Sequence, residues 1–341
     1  MNIPRTAWSI VLALLLLAGL TALAFWWSLR QPEPSAPGQL RPLVIATNTE
    51  YLGACAVMAG QSQGYFARHG IAVQLQPYST GKQALDAVLA GRADLATAAD
   101  IVIMLAALDG KPLRILSTIH RAQRDHGVLA RRGSGIVRPA DLKGKRIGVT
   151  LRTSGHFTLA VYLNHQRLTV QDVQLVNYPP EAMLGAMQRR EVDAVASWDP
   201  YLQAIATALG PDGMRFSAED IYESIYNLVA QAAYVEQHKP LLDDLLRALV
   251  DGERFCREHP AEASAFIGGL SQEGRAAMLA GWSNNHFRLE LEQDLLLALE
   301  DEARWAIQGG AARAREAPNF LDYIYMDGLQ AVSPNDVSII H

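Results

Sequence analysis

From Leu43 onward, short alternating apolar runs are separated by stretches with apolar residues at helical spacing, which predicts strands alternating with helices. The pattern places strands at 43–46, 71–75, 95–98, 113–118 and 127–131, with helices at 53–69, 82–90 and 101–108. A second series follows: strand 145–149, a polar elbow at 150–153, and a helix from Ser154 carrying Phe157, Leu159, Val161, Tyr162 and Leu163. It continues with strand 173–177, helix 181–189, strand 194–197 and a helix from Pro200. This alternation predicts an α/β fold built around mainly parallel sheets. After Tyr226 comes an apolar segment, 228–235, and then a largely helical remainder. Leu241, Leu242, Leu245, Leu246, Leu249 and Val250 form one amphipathic stripe, and Leu291, Leu295, Leu296, Leu299, Ala303 and Ile307 form another.

The two series share a pattern. Leu85, Ala87, Asp94 and Asp100 have the same internal spacing as Leu184, Ala186, Asp193 and Asp199, which predicts two lobes of one construction. The expected division is 42–121 plus 226–341 for lobe I and 122–225 for lobe II, with crossovers near 119–127 and 225–230 acting as a hinge over a cleft. The counterpart of the elbow in the first series is 47–52, so two helix N-termini should face each other.

Ahead of the lobes, Arg5 is followed by an uncharged apolar run, 6–29, closed by Trp26, Trp27 and Arg30. Its length suits a transmembrane helix, while Ala22-Leu23-Ala24 offers a signal-peptidase site, so 1–30 is expected to be a membrane anchor or a signal peptide. The proline-rich segment 31–41 reads as a tether. Everything after it is expected on the periplasmic side of a bacterial inner membrane.

Composition adds exclusions. The chain has 341 residues, half of them apolar, and a net charge of −5 without acidic or basic blocks, which argues against a nucleic-acid partner. Cys55 and Cys256 lie far apart with no metal-ligand spacing and are expected to be two buried thiols; no metal site and no cofactor is predicted.

The segments GVTLRTSGHF (148–157), VDAVASWDPY (192–201), GRADLATAAD (91–100) and NTEYLGACAVMAGQSQGYF (48–66) together resemble the nitrate/sulfonate/taurine-type substrate-binding proteins of ABC transporters. That family includes relatives that bind thiamine-pyrimidine precursors. The resemblance implies a two-lobed periplasmic-binding-protein fold, type II-like. It also implies a monomer that closes on a small polar, anionic solute (sulfonate, nitrate, carboxylate or pyrimidine) and delivers it to a separate permease and ATPase. The alternatives are a membrane-tethered ligand sensor and, on the same fold, an enzyme of the pyrimidine-synthase type; two isolated cysteines do not supply the cysteine-rich site of the latter.

Candidate ligand contacts follow. Thr153 and Ser154 sit where unpaired backbone N–H groups and the positive end of a helix dipole meet, a place suited to an anion, although Ser154 also reads as a helix cap. His156 lies in the first turn. Thr49, Glu50 and Tyr51 form the facing loop; Glu50 in the cleft would favour a solute carrying an amine as well as an acid, and otherwise caps a helix. Thr80 and Gly81, after Ser79, resemble a ligand loop of the family. Asp100 and Asp199 each open a helix as caps or ligand contacts, and Trp198 offers an aromatic face or a core residue. Arg121, Arg124 and His126 on the first crossover either steer anions or form a solvated basic loop. Arg152 stands where family members usually have Gly, and is read either as a cation in the cleft or as a side chain narrowing its entrance. No GxSxG surrounds Ser154, so hydrolase chemistry is not predicted and no residue is assigned as catalytic.

Overall fold

The structure is a computed structural model and describes residues 39–219 and 221–340. The fold resides in a compact unit, Arg41–His341. The apolar run 6–29 and most of the tether lie outside the described residues, among which no helix is long and apolar enough to cross a membrane.

The chain begins with β1 (Arg41–Thr47), α1 (Cys55–Ser62), α2 (Tyr65–Arg68), β2 (Ile71–Pro77), α3 (Gly81–Leu89), β3 (Leu95–Ala99), α4 (Asp100–Leu108) and β4 (Leu113–Ala122). It crosses over to β5 (His126–Arg131), β6 (Arg146–Val149), α5 (Ser154–His165), β7 (Gln174–Asn177), α6 (Met183–Gln188), β8 (Ala194–Trp198), α7 (Tyr201–Leu209) and β9 (Gly213–Ser217). It then returns through β10 (Ser224–Gln231), α8 (Ala232–Gln237), α9 (Lys239–Glu258), α10 (Pro260–Ser264), α11 (Gln272–Ala280), β11 (Asn285–His286), α12 (Gln293–Gln308) and α13 (Met326–Val332).

Two sheets result, ordered β11-β4-β10-β3-β1-β2 and β7-β6-β8-β5-β9. The expectation of mainly parallel sheets needs correction. β10 runs antiparallel to β3 and β4, and β5 runs antiparallel to β8 and β9. The cause is the crossover: a strand arriving from the other lobe enters its sheet from the cleft end, opposite to strands that finish there. Each lobe therefore repeats one plan, with a returning strand inserted next to the third β-α unit.

The repeated aspartates show how deep this likeness goes. Asp94 Oδ2 accepts the Val44 N–H of β1 at 2.7 Å, and Asp193 Oδ2 accepts the Arg146 N–H of β6 at 3.0 Å. In both lobes the same aspartate's own N–H returns to the carbonyl of the same strand residue. A carboxylate at that spacing pins the start of the next strand to the first one.

The expected helix 53–69 is broken into a 3-10 turn (Leu52–Ala54), α1 and α2, because Gly64 takes a left-handed conformation with φ 69°. The segment 228–235 divides between the end of β10 and the start of α8, and β9 is an additional strand whose residues are only half-buried. The stripe on α9 buries Leu241, Leu242, Leu245, Leu246 and Leu249 in the core of the first lobe. The second lobe has a separate core on each sheet face, with Val128, Ala130, Ala194 and Ala196 on one and Leu129 and Val195 on the other, the period-2 signature of a two-sided sheet.

The reading of two buried thiols is overturned: Cys55 and Cys256 form a disulfide joining α1 to α9, 201 residues apart in sequence. Packing of the amphipathic α9 against α1 brings the two cysteines together, and no local spacing signals it.

Candidate functional site

A small cavity of about 20 Å³ lies in the cleft between the two lobes. One wall is the N-terminus of α3. Thr80 is its N-cap, with Oγ1 accepting the Gln83 N–H at 3.1 Å, while the Ala84 N–H goes to the Thr80 carbonyl. The Gly81 and Lys82 N–H groups lie ahead of these bonds, in the part of a helix that has no intrahelical acceptor. Gly81 fits because a Cβ there would stand 2.9 Å from the Ala98 Cα.

The opposite wall is the N-terminus of α5. Thr153 is the N-cap; its Oγ1 donates to the Thr150 carbonyl at 2.7 Å, and its own carbonyl receives the His156 and Phe157 N–H groups. Ser154 and Gly155 then present the remaining N–H groups at the positive end of a 12-residue helix. Gly155 allows the close seating of α5 on β8, since a Cβ there would lie 3.3 Å from the Ala196 carbonyl oxygen.

Between the walls stands His126, the first residue of β5 and 2% exposed. Its Nδ1 is 2.8 Å from Asp125 Oδ1, and Asp125 Oδ2 accepts the Tyr51 hydroxyl at 2.7 Å. The Tyr51 hydroxyl is also 3.1 Å from Ser224 Oγ. Burial alone would raise the Asp125 carboxyl, but His126 beside it and the hydrogen bonds from His126 and Tyr51 hold it below its ordinary value. Burial and the Asp125 charge push the Tyr51 hydroxyl upward. His126 Nε2 is buried without a hydrogen-bond partner. Trp198 and Tyr222 pack against the His126 ring at 6.0 and 5.1 Å.

Of the candidate contacts, this cavity brings together Tyr51, Thr80, Gly81, Thr153, Ser154 and Trp198. Other candidates lie elsewhere. Thr49 and Glu50 line an open pocket beside Tyr78, and Glu50 Oε2 accepts the Tyr201 hydroxyl at 2.9 Å. Asp100 is buried on α4, its Oδ1 accepting the Ile101 N–H at 2.8 Å and the Tyr222 hydroxyl at 3.1 Å. Asp199 accepts the Gln203 N–H and is clasped by both Arg215 nitrogens at 2.9 and 3.0 Å. With Tyr51 and Asp125 it borders a second cavity of about 110 Å³. His156 packs on Trp305 at 5.7 Å, and burial together with Arg152 lowers its pKa.

Arg152 does not line the cavity, and its half-exposed side chain is tied down rather than free in solvent. It lies at φ 61°, the left-handed region, and its guanidinium reaches the first lobe, where Nη2 donates to Asp109 Oδ2 at 2.6 Å. The basic run on the first crossover is likewise not a steering patch. Arg121 is buried and bonded to Glu290 at 2.5 Å, Asp294 at 2.8 and 3.0 Å, and Glu223 at 3.1 Å, while Arg124 pairs with Glu219.

Polar residues of this cavity that the candidate contacts do not include are Asn48, Lys82, Ser224 and Tyr226, and His126 enters it although the sequence marks it only as part of a basic crossover. The Asp125-His126 dipeptide opening a strand was the available signal for the last. Among the described residues no cluster of His, Cys, Asp or Glu could hold a metal ion.

Comparison with known proteins agrees with this architecture. A binding protein of Brucella abortus (strain 2308) is 25% identical over 164 residues, 48% of this chain and 50% of that protein. The taurine-binding periplasmic protein of Escherichia coli (strain K12) is 25% identical over 146 residues, 42% of this chain and 45% of that protein. The chain thus spans about half the length of these curated relatives. The alkanesulfonate-binding protein SsuA of Xanthomonas axonopodis pv. citri, solved bound to MOPS, shares the fold with a TM-score of 0.75 at 20% identity, covering 86% of this chain and all of that one. The fold is therefore the two-lobed periplasmic-binding-protein fold, and with residues 53–263 matching the family described as NMT1/THI5 like, this chain belongs to that family.

Proposed function

We propose that the protein is an extracytoplasmic solute-binding protein that closes two lobes, 42–121 plus 226–341 and 122–225, on a small anionic solute of the sulfonate class and passes it to an ABC permease with its ATPase. The observation that carries the reading is the pair of helix N-termini, those of α3 and α5, facing each other across one cavity from different lobes. Each offers free N–H groups and a dipole of favourable sign, so an oxyanion touching both gains more from the closed arrangement than from the open one. The taurine and alkanesulfonate proteins among the relatives support the sulfonate class. At about 20 Å³ the cavity has room for one or two water-sized groups, so a sulfonate enters with the lobes swung further apart about the two crossovers. The N-terminal apolar run serves export or anchoring in this reading, which keeps the lobes at the outer face of the inner membrane.

The test is a thermal-shift screen of the full-length protein, in detergent, against taurine, ethanesulfonate, nitrate, acetate and a pyrimidine, in buffers free of sulfonate groups. A solute at about a hundredfold its Kd stabilises the folded state by about 2.7 kcal/mol. A shift with the sulfonates alone is expected; a shift confined to the pyrimidine or a carboxylate replaces the class, and a flat response to all five rejects the reading.

A further inference from the structure

Building on the sulfonate reading above, we propose that His126 takes up a proton when the solute binds and that its Nε2–H donates to the solute's anionic group. Three features of the site lead there. The carboxylate of Asp125, 2.8 Å from Nδ1, fixes the tautomer: Nδ1 carries a proton and donates it to Asp125, leaving Nε2 for whatever enters the cleft. Asp125 is itself held by the Tyr51 hydroxyl, so the ring has little freedom to turn. Nε2 is a buried polar atom without a partner, on a residue that lines the cavity between two helix N-termini. An unmet polar atom in such a place is unfavourable, and a ligand atom that pairs with it recovers the loss.

The sign of the charge decides what that ligand atom meets. A neutral ring in this tautomer turns a lone pair towards an anion, and repels it; an imidazolium turns an N–H towards it. Lys82 also borders the cavity, but its Nζ is engaged by Asp86 at 2.6 Å. Helix termini contribute only fractional charge, about half an elementary charge each. The imidazolium therefore supplies the countercharge that a permanently ionised sulfonate lacks in the closed cleft. The groups around the ring from other elements are Asp100 on α4, His120 on β4, Tyr51 before α1 and Tyr222 between β9 and β10. The balance is simple: one proton passes from solvent to Nε2 as one sulfonate passes from solvent to the cleft, and no covalent bond of the solute changes.

The experiment is calorimetric titration of the full-length protein with taurine and with ethanesulfonate, in cacodylate and in Tris, from about pH 5 to about pH 9. Wild type is expected to show a buffer-dependent heat that corresponds to net proton uptake with the solute within this range. His126→Gln is expected to bind at least about tenfold more weakly at acid pH and to lose the buffer dependence. Binding by wild type without proton uptake at any pH overturns the proposal, as does uptake that persists in H126Q. Should that variant fail to fold, the wild-type proton inventory decides alone. Absence of binding by either sulfonate at every pH overturns the sulfonate reading and this proposal together, a signature distinct from binding without protons.

Discussion

Arg152 of the second lobe clasps Asp109 of the first, Nη2 donating to Oδ2 at 2.6 Å while Nη1 donates to the Ala311 carbonyl at 3.2 Å. A residue at the elbow of the second lobe thus bridges the two lobes. It occupies a backbone conformation, φ 61°, that costs a side-chain-bearing residue about 1–2 kcal/mol. The ion pair is some 40% exposed and recovers at most about 1 kcal/mol. Arg152→Gly is therefore expected to leave the melting temperature unchanged or slightly raised, yet to weaken solute binding severalfold because the closed state loses a contact. Titration and thermal melting of the variant check this. A fall of many degrees in melting temperature, or unaltered affinity, contradicts it.

Gly81 and Gly155 test the two walls separately. A Cβ on Gly81 would meet backbone, the Ala98 Cα at 2.9 Å and the Thr97 carbonyl oxygen at 3.1 Å, so the start of α3 has to retreat from β3. Gly81→Ala is expected to cost about 1–3 kcal/mol of stability and to pull its N–H groups out of reach of a solute. Gly155→Ala meets its nearest neighbours at 3.3 and 3.4 Å and should do the same more mildly. Affinities measured for both variants should fall in that order, and the reverse order would show that the α3 wall is not the tighter one.

The elements around these walls were legible in the sequence because each strand and helix has a local signature: short apolar runs in β1 and β3, and the stripe that starts α5. The duplication was legible too, because Asp94 and Asp193 perform one local task, receiving the N–H of a neighbouring strand. What escaped depends on distant parts of the chain. Arg121 has a basic sequence neighbourhood, yet Glu290 and Asp294, some 170 positions away, neutralise it. Asp100 and Asp199 look alike in sequence, but one meets Tyr222 and the other Arg215. His126 reads in the sequence as one of three basic residues on the crossover, and only the fold places it beside the N-termini of α3 and α5.

The disulfide is a second long-range feature with a measurable consequence. It closes a loop of about 200 residues that contains the whole second lobe. Chain-entropy reasoning puts the stabilisation at about 5 kcal/mol as an upper figure, because residual structure in the reduced unfolded chain lowers it. Replacing both cysteines by serine, or reducing the bond, should lower the urea midpoint substantially while leaving solute affinity in the folded protein nearly unchanged. Equal midpoints for oxidised and reduced protein would remove the bond from the stability account.

Asp100 and Glu302 form a buried acid pair beneath the cleft, one on α4 and the other on α12, with exposures of 1% and 2%. Burial raises Asp100 to about 7, against the opposing hydrogen bonds from the Ile101 N–H and Tyr222. Burial and the Asp100 carboxyl raise Glu302 well above its ordinary value. With both carboxyl groups raised, the folded state retains protons that the unfolded chain would release near pH 4. Between about pH 4 and about pH 7 the folded state therefore binds more protons than the unfolded one, and stability falls as pH rises through that window, by about 1.4 kcal/mol per pH unit for each proton retained. Glu302→Gln keeps the shape and places an amide donor beside Asp100, which can then ionise at lower penalty. The variant should melt close to wild type near pH 4 but above it at pH 8, with a visibly shallower slope between; parallel melting curves against pH would mean that the pair is not the source of the wild-type slope.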